Sequence, residues 1–201
     1  ITGNSDVIAT AVGNVDSFGG TPTATLGDAH TLAELKAINN ALSGQLTLND
    51  YSVALSGSTA DIKAALAGTF ASAYTGNVTI TDANLANIAA ADINTIAGDT
   101  SGTVTVSNNI NLTGNSDVIA AAVGNIDTFN GTLTATLGDA HTLAELKAIN
   151  DAIAGTITLN DVSVALSGSS ADIAAALAGT FTVGYTGNVT TTNAHSTSEL
   201  I

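Results

Sequence analysis

The chain reads as an α/β repeat solenoid, built of stacked strand-turn-strand-helix coils of roughly 28 residues with parallel β-layers. Three observations predict it. Thr2–Ala83 returns as Thr113–Ala194, with 64 of the 82 aligned positions identical. Inside each block, helix-like segments alternate with short strand-like ones and are punctuated by glycine. The apolar content is 45%, yet aromatics are 3% and Trp, Met and Cys are absent. A core of Ala, Val, Ile and Leu suits thin repeated layers better than one thick globular centre. A rival arrangement is two α+β domains of about 100 residues each; the shorter internal rhythm favours the solenoid.

In order along the first block, helices are expected at Asn4–Phe18, Thr31–Leu42, Ser58–Ala67 and Asp82–Ala97. Three return in the second block, at Asn115–Phe129, Thr142–Ile153 and Ser169–Ala178. Leu32, Leu35, Ile38 and Leu42 fall three to four apart, as do Ile62 and Leu66, the spacing of one buried stripe. Thr31 with Glu34 and Ser58 with Asp61 fit the capping box, and Thr142/Glu145 and Ser169/Asp172 repeat it. Glycines follow the helices at Gly19–Gly20, Gly44, Gly68, Gly98, Gly131, Gly155 and Gly179, where a left-handed stop is expected. Four glycine steps lead from Gly20 to its copy Gly131, which sets the mean coil at about 28 residues.

Strands are expected between the helices, where apolar residues alternate with Thr or Ser: Thr23–Leu26, Gln45–Leu48, Ser52–Leu55, Val78–Ile80, Thr103–Val106 and Ile110–Leu112. Several coils hold two strands before the helix, joined by turns such as Asn49-Asp50 or Ser107-Asn108-Asn109. Residues 1–112 form a first repeat block of about four coils. Residues 113–194 form a second, truncated block of about three, and 195–201 a divergent tail that leaves the repeat text and contains His195.

Charge narrows the function classes. Three Lys and Arg stand against 17 Asp and Glu, for a net charge of −14, so the phosphate term is repulsive and nucleic acid is excluded as a partner. No run of eighteen apolar residues exists to insert in a membrane, and no charged leader stands at Ile1. Without cysteine there is neither a disulfide framework nor a thiolate metal site.

The polar motifs favour no catalyst. His30 and His141 are one position in two copies, before a helix and two residues after Asp28 and Asp139, with no nucleophile-elbow pattern nearby. They read as turn residues. Acids stand singly in turns at Asp28, Asp50, Asp82, Asp99, Asp139 and Asp161. Asp28, Asp139, Asp50 and Asp161 are the calcium candidates, if stacking gathers acids from adjacent coils; capping and Asx turns explain them more simply. Thr-x-Thr pairs such as Thr23/Thr25, Thr103/Thr105, Thr134/Thr136 and Thr156/Thr158 suggest hydroxyl ladders, as on ice-binding solenoids, or ordinary strand faces. Gly13 and Gly57 belong to no phosphate-cradling loop. No catalytic or cofactor-binding residue is expected.

Thr31–Leu48, Val53–Gly68 and Tyr74–Ile88 resemble the Ala/Thr/Gly/Asp-rich repeats of very large secreted surface proteins of aquatic bacteria, cyanobacteria especially. Those proteins are often exported by type I secretion and carry calcium-binding repeats elsewhere in the chain. The glycine-rich calcium nonapeptides are missing here. The resemblance implies an extracellular, non-enzymatic, structural or adhesive role as spacer, sheath, filament or adhesin stalk. The expected partners are other copies of the chain or adjacent repeats.

Overall fold

A computed structural model describes residues 1–193. One or two strands separate each described helix from the next. The elements run β1 (Thr2–Gly3), α1 (Ser5–Gly13), β2 (Ala24–Leu26), α2 (Leu32–Ala41), β3 (Leu46–Thr47), β4 (Leu55–Gly57), α3 (Thr59–Leu66) and β5 (Val78–Ile80). Then come β6 (Ala86–Ala89), α4 (Ala90–Asp99), β7 (Val104–Val106), β8 (Ile110–Gly114), α5 (Ser116–Gly124), β9 (Thr128–Phe129) and β10 (Leu133–Leu137). The last described are α6 (Leu143–Ala152), β11 (Thr156–Thr158), β12 (Leu166–Gly168), α7 (Ser170–Leu177), β13 (Thr180–Phe181) and β14 (Val189–Thr191). The protein is α/β, and every strand pairing among the described residues is parallel. The tail 195–201, with His195, lies outside the described residues.

Two compact units divide the chain. The first comprises Ile1–Asp82, Thr95–Ser107 and Ile126–Thr128. It holds a sheet in the order β1-β2-β3 and another in the order β4-β5-β7-β9, the latter ending on Thr128. α1 packs on α2, and α2 on α3. The second unit comprises Ala83–Asn94, Asn108–Asn125 and the residues from Phe129 onward. It holds the sheet β13-β11-β10-β8-β6 and the pair β12-β14, with α6 packed between α5 and α7.

Each strand pairs with one that lies a short, nearly constant step along the chain, as Ala24 opposite Leu46 and Val78 opposite Val104. That step is shorter than the coil length expected from the glycines, and the reason is local. After α3 the chain bridges Leu46 through Phe70 and then forms β5 with no helix in between. Strands therefore recur more often than helices. Where two strands precede a helix, as with β3 and β4 before α3, they belong to different sheets.

Each layer buries one face. Leu112, Leu133, Ala135, Leu137 and Ile157 point inward, while Thr134, Thr136 and Thr158 alternate with them half-buried. Leu35, Ile38 and Leu42, at the α2 stripe, and Ile62 and Leu66 on α3 are buried as their spacing requires. Leu32 is half-buried.

Four expectations need correction. The helix expected over Asn4–Phe18 ends at Gly13, where the Asn14 N–H closes on the Ala11 carbonyl and the Val15 N–H on the Val12 carbonyl, because Gly and Asn propagate a helix poorly and leave Val15 exposed. Its copy ends likewise at Gly124. The helix expected from Asp82 starts only at Ala90, because Ala86–Ala89 is recruited as a strand by β8. The strand expected at Ser52–Leu55 forms later, at Leu55–Gly57, since an Asp50–Ser52 turn occupies its start. Finally, of the glycines expected as left-handed stops only Gly20 has a positive φ. Gly44 and Gly155 serve close approach instead, since a Cβ there would strike the carbonyls of Pro22 and Leu133 one strand step earlier.

Candidate functional site

Bonds between successive strand steps organise the polar positions that the sequence singles out. Helix N-termini come first. Asn4 precedes α1 but makes no side-chain cap. The cap comes from the loop one step later: Asp28 Oδ1 accepts from the Ser5 N–H at 2.7 Å. Asp139 does the same for Ser116 at 2.7 Å, and Asp82 Oδ2 takes the Thr59 N–H at 2.8 Å. Asn193, which stands where the first copy has Asp82, accepts from the Ser170 N–H at 2.9 Å. An anion at an orphan N–H satisfies both a donor and the helix dipole. More locally, Thr31–Glu34 and Thr142–Glu145 close as full capping boxes. Ser58 and Ser169 each accept from the backbone three residues on, at Asp61 and Asp172.

Asp50 and Asp161 shape their own turns. Each carboxylate takes the N–H and hydroxyl of the serine two residues later, at 2.8 and 2.7 Å for Ser52 and 2.8 and 2.6 Å for Ser163. These bonds hold both carboxyls below their ordinary range. The four calcium candidates thus stand in two different roles, capping and turn formation. Among the described residues no three His, Asp or Glu side chains converge on one point.

Histidine supplies the most unusual chemistry. His30 and His141 are 3% exposed, so neither is the partly exposed turn residue the sequence suggests. His30 Nε2 lies 3.1 Å from the Tyr74 hydroxyl, which donates to the Val53 carbonyl at 2.6 Å. The second copy repeats this with His141 and Tyr185 at 3.1 Å, and Tyr185 to Val164 at 2.5 Å. Since each tyrosine proton is committed to a carbonyl, each Nε2 must carry the proton it donates. Nδ1 is then a bare lone pair, buried and without a partner in both copies. Burial pushes both imidazoles below their ordinary value, against the opposing pull of Asp50 and Glu34 on His30 and of Asp161, Glu145 and Asp139 on His141. Burial also raises the tyrosines, with Asp50 and Asp161 adding to the effect. No serine or second acid completes a nucleophile set around either histidine among the described residues. The node pins two strand steps together, and Phe70 and Phe181 pack on the tyrosines at ring-centroid distances of 6.0 and 6.4 Å.

Two further features recur. An open cleft of about 580 Å³ beside α2 is lined by Leu32, Lys36, Ser56 and Asp61, and a second of about 500 Å³ by Leu143, Lys147 and Asp172. Their charges neutralise each other, as ion pairs between Lys36 and Asp61 and between Lys147 and Asp172. In the second unit, Asn87, Asn111 and Thr134 form one outward row, and Thr113, Thr136 and Thr158 form another. Asn111 donates to Asn87 at 2.8 Å and to Thr136 at 3.1 Å, and Thr134 donates to Asn111 at 3.1 Å. The rows fasten strand to strand.

The tyrosine partners and the caps supplied from a later loop are absent from the sequence-based expectations. A signal for both was present. Tyr74 and Tyr185 stand at the same distance along the chain from a histidine in each copy, and Asp28 and Asp139 at the same distance from the N–H each one caps.

No protein-family model, curated protein or solved structure matches the chain.

Proposed function

We propose that the chain is a non-enzymatic, extracellular structural repeat, a stiff acidic solenoid that serves as spacer, sheath, filament or adhesin stalk and associates end to end. One observation carries the reading. In each unit the strands of the described residues pair only in parallel, each with a partner a short and nearly constant step along the chain, so each coil offers the next the same backbone ladder. Polar groups reinforce that stacking. Loop acids cap the helices of neighbouring coils, and Asn and Thr rows bond across strands. The resemblance to secreted bacterial repeats supports a position outside the cell, and the net charge of −14 favours solubility at high concentration. Light scattering across a concentration series tests the association. Mass rising with concentration is expected, and a strict monomer throughout would sink it.

A second reading, ice binding, draws on the alignment of Thr113, Thr136 and Thr158 in one row. Thermal hysteresis abolished by Thr136→Lys would support it, and none in the parent protein would remove it.

A further inference from the structure

The two copies of the repeat differ at one position that changes the covalent chemistry of the backbone. Gly19-Gly20-Thr21 in the first copy becomes Asn130-Gly131-Thr132 in the second, which holds the sole Asn-Gly pair of the sequence. The backbone nitrogen that follows an asparagine can close a five-membered ring onto the side-chain amide carbon. Ring closure is intramolecular, so its rate depends on how freely that nitrogen can approach. Glycine, with no Cβ, hinders the approach least.

Three asparagines precede a serine or a glycine, and the fold places them in two different environments. Asn4 and Asn115 precede Ser5 and Ser116, each 2% exposed, and the serine N–H groups are held by Asp28 and Asp139 at 2.7 Å. Both of those nitrogens are buried and bound. Asn130 is exposed, in the bend between β9 and β10, and among the described residues no hydrogen bond engages the Gly131 N–H. The glycine itself is required by packing, because a Cβ at Gly131 would strike the Asn108 carbonyl.

We infer that Asn130-Gly131 is a site of spontaneous covalent modification, converting to aspartate and isoaspartate with water as the co-reactant. The Gly131 nitrogen attacks the Asn130 side-chain carbonyl carbon and a C–N bond forms. The bond to Nδ2 breaks, and Nδ2 departs as ammonia with the proton that the backbone nitrogen loses. Water then opens the succinimide. Opening at the side-chain carbonyl leaves aspartate, and opening at the main-chain carbonyl leaves isoaspartate, whose backbone is one carbon longer. Either product adds a negative charge to a chain already at −14. The isoaspartate also shifts the backbone just before two bonds, from the Thr132 N–H to Asn109 Oδ1 at 2.6 Å and from the Ile110 N–H to the Thr132 carbonyl at 3.3 Å. It loosens the entry of β10 onto β8, in one copy of the repeat and not in the other.

The test incubates the intact chain at mildly alkaline pH and follows each asparagine by peptide mapping, with isoaspartate scored by enzymatic methyl transfer. Conversion at Asn130 should run at least about tenfold faster than at Asn4 or Asn115. Asn130→Gly, which restores the residue of the first copy, should abolish the fast phase of methyl acceptance. Asp139→Ala frees the Ser116 N–H, so it should speed conversion at Asn115 and leave Asn130 unchanged. In the isoaspartyl form the Ile110 amide should exchange with deuterium faster than in fresh protein. Conversion at Asn130 no faster than at Asn115 overturns the site. An Asn115 rate indifferent to Asp139→Ala overturns protection by the fold, and unchanged exchange at Ile110 overturns the loosening.

Discussion

His30 and His141 each bury an imidazole whose Nδ1, once protonated, would have no acceptor for its N–H. The folded state therefore resists protonation at the ordinary histidine pKa, while the unfolded chain accepts a proton near 6.5. Below that pH the unfolded state binds more protons, so stability falls as pH falls, by at most about 1.4 kcal/mol per pH unit for each histidine. Denaturation midpoints should drop between pH 7.5 and 5.5, and His30→Gln with His141→Gln should flatten that slope. The carboxylates held low, Glu34, Asp50 and Asp61, lose their contribution only at more acid pH, as pH falls through their own depressed values, so the two windows separate. Leu85 offers a simpler test. It is 71% exposed and sits at φ 66°, a left-handed conformation that costs a leucine roughly 1–2 kcal/mol. Leu85→Asn should raise the melting temperature, because asparagine tolerates that backbone.

Elements hold together through caps and stripes shared between successive strand steps. Asp28→Ala and Asp139→Ala should each cost about 1 kcal/mol in urea denaturation, the usual worth of a helix cap. Asp28→Asn should restore most of it, since Asn193 already caps α7 with an amide oxygen. A calcium ligand would behave otherwise: the amide would not substitute, and a chelator would lower the melting temperature of the parent protein. Ile38 on α2 and Ile149 on α6 occupy one position in two copies and are both 0% exposed. Ile38→Ala and Ile149→Ala should each destabilise by about 2–5 kcal/mol, through lost burial and the cavity left behind. The Lys36–Asp61 and Lys147–Asp172 pairs are more than a third exposed, so their removal should matter far less than these.

At the scale of the whole chain, a net charge of −14 opposes the end-to-end association proposed above. Like-charged copies repel over a Debye length of about 10 Å at 0.1 M salt and about 3 Å at 1 M. End-to-end association should therefore strengthen as salt rises, read as a higher weight-average mass in light scattering at fixed protein concentration. Association driven by ion pairs would show the opposite trend.

Most helix positions, several strands and the duplicated block were legible in the residues themselves. Apolar spacing, the Thr31–Glu34 box and Thr/Val alternation are local signals, and local geometry obeys them. What the tertiary structure alone decided was which residues meet between steps. Ala86–Ala89 became a strand because β8 was there to pair with it, overriding its helical composition. His30 found Tyr74, Asp28 found the Ser5 N–H, and Gly44 found the Pro22 carbonyl because parallel pairing sets one short step from strand to strand. Glycine punctuation conceals that step, since it marks helices, and the stretch between α3 and β5 has none. Sequence by itself thus determined the α/β class of the protein and the text of its repeat. The register between strands, and with it the partners of the buried polar groups, was settled by backbone hydrogen bonding over distances that local periodicity does not encode.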